Sequence, residues 1–284
     1  MNITLYTVSA FTKNNTGGNL AGIVLNADNL SNAQKQKIAT IANYSETAFV
    51  GSDPQVDFSV SFFTPTAEVN FCGHATLALF YLLFHQGIIS EGSYQQRTKA
   101  GILSVTLSTD GEVVMQQTLP QTLANFSIHE IAPLLNQKSE ILQNQPPIEV
   151  LSTGLSDLII SIPVGLLDSI TPNLSLIHDF CLLNNIIGFH LFELNEANSE
   201  ISASCRNFAP LVGIDEESAT GSACGALACY LYKHYKMQRF TFQQGKVMGK
   251  ESRLTASVSV KEDSISRVEV GGLAKLIACD IISL

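Results

Sequence analysis

The chain has 284 residues, enough for two ordinary domains or one large one, so it can bury a core without disulfide staples. Its residues are 45% hydrophobic and only 14% charged, which excludes a disordered tail or tether. Acidic residues outnumber basic ones 25 to 16, for a net charge of -9, and no basic cluster stands ready to neutralise a row of phosphates, so nucleic acid is not an expected partner.

The first fifty residues read as strand, turn, strand, helix and strand. ITLYTV alternates, TGGN turns, AGIVL is apolar, and SNAQKQKIATIA has helical spacing that ends near Asn43. VDFSVSFF then shows the two-residue period of a half-buried strand, and TPTAEVNFCG leads into an apolar helix, HATLALFYLLFHQG, closed by Gly87. That helix is apolar on every side, as expected of a fully covered element. RTKAGILSVTLS and EVVMQQTL follow as strands around the Asp110-Gly111 turn.

The second half repeats the plan. SFFTPTAEVNFCGHATLALFYLL can be laid on CRNFAPLVGIDEESATGSACGALACYL, with Phe63 on Phe208, Pro65 on Pro210 and Gly73 on Gly221. The register shifts between the proline and the helix, which a small loop insertion accommodates. A looser match of NYSETAFV on NIIGFHLF sets Glu46 against Gly188. The other strands of this half are IEVLSTG, DLIISIPV, IIGFHLFEL, ISASCRNF, RFTFQQG and RLTASVSV.

The expected fold is therefore α+β, two pseudo-symmetric lobes, each a curved and mostly antiparallel sheet wrapped around a central helix. The N-terminal lobe covers 1–120, with the C-terminal strand near 268–284 able to join it, and the C-terminal lobe covers 121–284. Pro146-Pro147 and the Asn/Gln-rich stretch near Asn136 mark the expected boundary region. A small ligand is expected between the lobes.

Six cysteines are scattered without a CxxC pair, which points to reduced thiols and a cytoplasmic protein. The longest strongly apolar run, Leu77 to Phe84, is too short to span a bilayer, and the N-terminus has no leader pattern, so no membrane partner is expected. The six histidines show no metal-ligand spacing, so no metal is implied. TGGNLAG lacks the ending of a phosphate loop and precedes a strand; it reads as a turn that can line a pocket.

Chemistry concentrates at the starts of the two central helices, Gly73-His74 and Gly221-Ser222, where free N–H groups meet the positive end of the macrodipole and can hold a carboxylate. The ordinary alternative is capping by Ser222 or Thr220. Glu46, among small and apolar residues at a strand entrance, suits a general base, and a solvated strand-end carboxylate is the alternative. His74 at a helix N-terminus suits a neutral, proton-relaying imidazole, or else a structural hydrogen bond.

GGNLAGIVL, NYSETAFV, FFTPTAEVNFCGHATLA, NFAP with GI, ATGSACGALACYL, QG and MGKESRL together resemble, in order and spacing, the PhzF (phenazine biosynthesis protein) family of isomerases, over nearly the whole chain. The resemblance implies a diaminopimelate-epimerase-like fold, a homodimer, and isomerisation without metal or organic cofactor, as with trans-2,3-dihydro-3-hydroxyanthranilate in the best understood member. It assigns proton transfer to Glu46 and catalytic roles to His74, Glu217 and Ser222. Asn19, Ser45, Gly73, Ala75, Gly221 and Ala223 become substrate-binding positions, and the implied substrate is a small carboxylate-bearing molecule. The family pattern departs here at Glu217-Ser218, where Asp-Pro is usual, at Ser61, where an arginine is often found although Arg206 is kept in the second half, and at GKESRL in place of GRPS. Two rival readings are a two-base epimerase or racemase, for which Cys72 has no partner thiol in SATGSA, and a non-catalytic binding protein. In the first rival's absence Cys72 is expected to be a packed small residue.

Overall fold

A computed structural model describes residues 1–196 and 198–284. The chain forms two compact units, one of residues 1–116 with 271–284 and one of residues 117–270.

In the first unit, β1 (Asn2–Ala10) pairs antiparallel with β2 (Asn19–Val24). α1 (Asn32–Ala42) carries the chain to β3 (Glu46–Gly51), which lies parallel to β2. α1 starts at a capping box between Ser31 and Gln34 and ends at Asn43, whose left-handed backbone (φ 53) stops the helix where the sequence pattern expects it. β4 (Phe58–Phe63) returns antiparallel to β3, and the short β5 (Glu68–Val69) leads into α2 (Gly73–His85). β6 (Gly92–Thr98) then pairs parallel with β4, and β7 (Gly101–Leu107) and β8 (Val113–Gln117) follow as antiparallel strands. The last strand of the chain, β18 (Ala274–Ser283), returns to pair with β1.

The second unit repeats this order element by element. β9 (Gln121–Phe126) pairs with β10 (Ile148–Ser152), as β18 does with β1, and between them lies the single turn α3 (Ile128–Ile131). β10 is antiparallel to β11 (Ser156–Ser161), and α4 (Leu174–Asn184) crosses to a parallel β12 (Gly188–Leu194). β13 (Ala203–Ala209), β14 (Ile214–Glu217), α5 (Gly221–Tyr235) and β15 (Arg239–Gln244) take the places of β4, β5, α2 and β6, with β15 again parallel to β13. β16 (Ser252–Lys261) pairs antiparallel with β15, and a turn at Glu262 and Asp263, both with positive φ, leads to β17 (Ser264–Gly272).

The matched registers make the duplication explicit. Glu46 opens β3 opposite Ala21, and Gly188 opens β12 opposite Asp157. Thr47 faces Phe63 as Phe189 faces Phe208. The extra residues of the second repeat lie around β14, which is four residues where β5 is two. α4, which the sequence reading passed over, is the counterpart of α1.

Both central helices are sheathed in apolar side chains. In α2, Leu77, Leu79, Phe80, Leu82 and Leu83 are buried, each contributing about 1.5–3 kcal/mol relative to an exposed position. α5 is covered from Ala223 to Tyr232, and its small residues admit close neighbours. A Cβ on Gly225 would lie 1.8 Å from the Gln117 amide oxygen, so that glycine makes room for Gln117 to cross the helix start. The Asn136 and Pro146-Pro147 segment lies inside the second unit, where Leu135 and Leu142 of two short 3-10 turns feed its core; the division between units falls instead at residues 116–117.

Candidate active site

Strand pairing puts Glu46 at the mouth of β3, directly after Ser45, while Cys72 and His74 straddle the first residue of α2. Four side chains consequently converge within the first unit. His74 Nε2 lies 3.4 Å from Glu46 Oε2 and 3.3 Å from Ser45 Oγ. Cys72 Sγ is 3.3 Å from His74 Nδ1 and 3.9 Å from Nε2. The His74 side chain is 5% exposed and that of Glu46 16%, so the carboxylate is largely shielded from bulk water. Glu46 Oε2 is buried without a hydrogen bond; its approach to the imidazole is close but does not make one, so a lone pair remains for an incoming proton. Asn19 begins β2 two residues before Ala21, the register partner of Glu46, and so shares its sheet face.

Cys72 is thus more than a packed small residue. It is buried, it occupies the N-cap position without capping the helix, and its sulfur belongs to the carboxylate–imidazole group. Sequence spacing implied no metal ligands, yet donor atoms of Glu46, Cys72 and His74 lie within 4.8 Å of one another. The signal was available only as CGH joined to a distant SETAF, a pairing that the turn between β5 and α2 creates.

The helix starts also separate into two kinds. Ser31 caps α1, Ser127 caps α3 and Asn173 caps α4, each through a side chain. Neither α2 nor α5 has such a bond, since Cys72 and Thr220 both leave the first turn uncapped. The capping alternative fails for a visible reason: the Thr220 hydroxyl donates instead to Glu217 Oε2 at 2.5 Å. Backbone N–H groups of Gly73 and Ala75, and of Gly221 and Ala223, are accordingly available to an anion. Ser222 is half-buried on the first turn of α5, its hydroxyl unengaged among the described residues, and its carbonyl accepts from Thr153 at 3.2 Å.

Glu217 ends β14 and leads into a loop clamped from one side chain. Gln244, fully buried, donates to the Glu217 carbonyl (2.7 Å) and to Thr220 Oγ1 (3.0 Å), and accepts from the Thr220 N–H (3.2 Å). Gly245 adopts φ +77, and a Cβ there would come within 2.4 Å of the Lys250 carbonyl and 2.9 Å of that of Ser218. The QG pair therefore holds the loop that carries Glu217, without the proline the family pattern has at Ser218. Gln117 does the same for the helix start, donating to the Gly221 carbonyl at 2.9 Å and accepting from Thr153 at 2.6 Å. Sequence reasoning missed Gln117, Thr153 and Gln244 as supports.

The two repeats differ most where their matched strands open. At Gly188, the counterpart of Glu46, a Cβ would sit 2.5 Å from the Phe208 carbonyl, so no side chain fits. Behind it lies a buried polar group: Asp157, His190 and Asn207, with Asn207 Nδ2 3.2 Å from His190 Nδ1 and 3.5 Å from Asp157 Oδ1. Burial raises the Asp157 carboxyl to about 7 and lowers His190 to about 3, because neither has a counter-charge to offset desolvation. Arg206 is spoken for structurally, forking onto both oxygens of Glu216 at 2.8 Å and donating to the Leu167 and Ile170 carbonyls. Its counterpart Ser61 receives a hydrogen bond from Lys35 at 3.1 Å.

Two repeats of an α+β unit, each a mixed sheet around a covered central helix, make a diaminopimelate-epimerase-like fold. The comparisons agree: the PhzC-PhzF family, phenazine biosynthesis-like protein, matches residues 8–278. This chain belongs to that family, and it is an isomerase. It is 33% identical over 289 residues to an uncharacterized isomerase of Clostridium acetobutylicum, covering 96% of this chain and 95% of that one. It is 27% identical to a trans-2,3-dihydro-3-hydroxyanthranilate isomerase of Pseudomonas chlororaphis, covering 93% and 94%. The crystal structure of a PhzF-family phenazine biosynthesis protein from Bacillus anthracis superposes over 100% of both chains with a TM-score of 0.91 at 27% identity.

Proposed function

We propose that this isomerase moves a proton within a small carboxylate-bearing, unsaturated substrate, with Glu46 as the single base and no metal or organic cofactor in the reaction. The observation that carries the reading is the pairing of a buried, unbonded Glu46 oxygen with His74 beside an uncapped helix start, set against a repeat position, Gly188, that admits no side chain.

The chemistry follows from those parts. Glu46 takes a proton from a carbon next to the conjugated system, the electron pair spreads into that system, and the same carboxyl returns the proton at another carbon. His74 holds the carboxyl in position and can accept or donate at its oxygen. Amides of Gly73 and Ala75 hold the substrate carboxylate and the charge that develops on it. Glu217, Ser222, Gly221 and Ala223 are assigned to binding and proton balance in the same reaction, and Asn19 and Ser45 to binding. The similarity to the Pseudomonas chlororaphis enzyme makes trans-2,3-dihydro-3-hydroxyanthranilate the first compound to try.

A two-thiol epimerase is disfavoured by the second unit. Cys224 is entirely buried inside α5, and desolvation pushes its thiol well above the usual range, which keeps it from forming a thiolate base.

The test follows deuterium uptake in heavy water by mass spectrometry, for wild type and Glu46→Gln, with that compound and a panel of unsaturated, amino and hydroxy acids. Glu46→Gln should lower uptake by about 10²- to 10⁴-fold. Uptake undiminished by the substitution would refute the assignment of the base.

A further inference from the structure

His74 Nε2 has two side-chain oxygens close by and can serve only one of them. In either tautomer the nitrogen offers a single in-plane position, a lone pair or an N–H. Ser45 Oγ, at 3.3 Å, is hydrogen-bonded there, while Glu46 Oε2, at 3.4 Å, has no hydrogen bond among the described residues. We infer that Ser45 is a positioning residue of the isomerase: by engaging His74 Nε2 it keeps the imidazole from hydrogen-bonding Glu46, and so leaves that carboxylate free to act as a base.

The path of the chain builds this contact. α1 ends at Asn43, whose φ of 53 turns the backbone, and Tyr44 anchors the turn on β1 through a 2.8 Å hydrogen bond between its hydroxyl and Thr7 Oγ1. Ser45 lies in the bend that follows and Glu46 opens β3, so two consecutive side chains reach one ring. The imidazole is buried, which limits the water that competes for Nε2. An N–H donated to a carboxylate favours its charged form and makes it a weaker base, so a direct bond from His74 would oppose the proton transfer assigned to Glu46. The second repeat points the same way. Ile187, Gly188 and Ser222 stand there at the positions of Ser45, Glu46 and His74, so hydroxyl, carboxylate and imidazole are replaced as a set.

This inference rests on the proposed role of Glu46 for its effect on rate, so the hydrogen bond and the rate are read separately. The Glu46 carboxyl is titrated by ¹³C NMR in substrate-free wild type, Ser45→Ala and Ser45→Thr, with its signal assigned by Glu46→Gln. His74 and Cys72 face this carboxyl from the start of α2, so each titration is repeated with Cys72→Ser to remove the thiol's contribution. Ser45→Ala should move the midpoint down by about 0.5–1 pH unit, as Nε2 turns to the carboxylate, and Ser45→Thr, which keeps the hydroxyl, should hold it at the wild-type value. In the exchange assay, Ser45→Ala should carry the acid limb of kcat down by the same interval and lower kcat by about 2- to 5-fold. A midpoint unmoved by Ser45→Ala, or moved equally by Ser45→Thr, would overturn the inference, and so would a rise in KM with kcat and its acid limb unchanged. Exchange that survives Glu46→Gln, with the midpoint moving as expected, would uphold the role of Ser45 at His74 and count against the proposed base alone.

Discussion

Asp157→Asn should stabilise this protein, by an amount that grows with pH. The carboxyl is 2% exposed, it accepts from the Asn207 amide at 3.5 Å, and its Oδ2 has no hydrogen bond among the described residues. Its pKa is raised in the fold from 3.8 to about 7. The unfolded chain therefore ionises this group first, and the native state's advantage is fully present below pH 3.8 and lost as pH rises through about 7. Three pH units at about 1.4 kcal/mol each make the loss about 4 kcal/mol. An amide of the same shape keeps the acceptor oxygen and carries no charge, so the variant should gain about 1.5 kcal/mol at pH 5 and up to about 4 at pH 8.

His190 supplies an internal check. Its pKa falls from 6.5 to about 3, so its contribution has the opposite sign, present above 6.5 and lost as pH drops toward 3. In wild type the two slopes cancel between roughly pH 4 and 6.5, whereas Asp157→Asn leaves His190 alone and should show stability rising by about 1.4 kcal/mol per pH unit across that range. Urea unfolding at pH 5, 6.5 and 8 measures both, read from midpoints at constant m. A difference between variant and wild type that does not change with pH would mean that Asp157 is solvated or paired, and would refute the reasoning.

Gly188→Ala places a Cβ against the Phe208 carbonyl and should cost about 1–3 kcal/mol, seen as a lowered thermal midpoint, because the contact is backbone and cannot rotate away. Gln244→Leu removes the bonds to Glu217 and Thr220 at nearly constant volume; a loss of about 1–3 kcal/mol in urea unfolding, with slower deuterium exchange, is expected. Arg206→Met alone strands Glu216 and should cost about 3–5 kcal/mol, while adding Glu216→Leu should recover much of it, as a double-mutant cycle would show.

The duplication was legible in the residues themselves. The match of Phe63 to Phe208, and even the weaker one of Glu46 to Gly188, reappears as equivalent strand registers, and Gly73 and Gly221 each open a central helix, because apolar periodicity dictates which residues face a core. The family motifs carried the isomerase class. α4 was not legible, since Leu182 and Leu183 are exposed and blur its helical period. Nor was the thiol's place beside His74 and Glu46, which depends on two segments 26 residues apart meeting at a strand mouth and a helix start. The same holds for Gln117 and Gln244, ordinary glutamines until the fold closes over them. Sequence by itself determined which faces are apolar, where α1, α2 and α5 lie, and which carboxylate sits in the family motif. Only the tertiary structure decided which helix starts stay uncapped, why Gly188 can hold no base, and which polar groups lie buried together, because those depend on distances between residues that the chain order does not set.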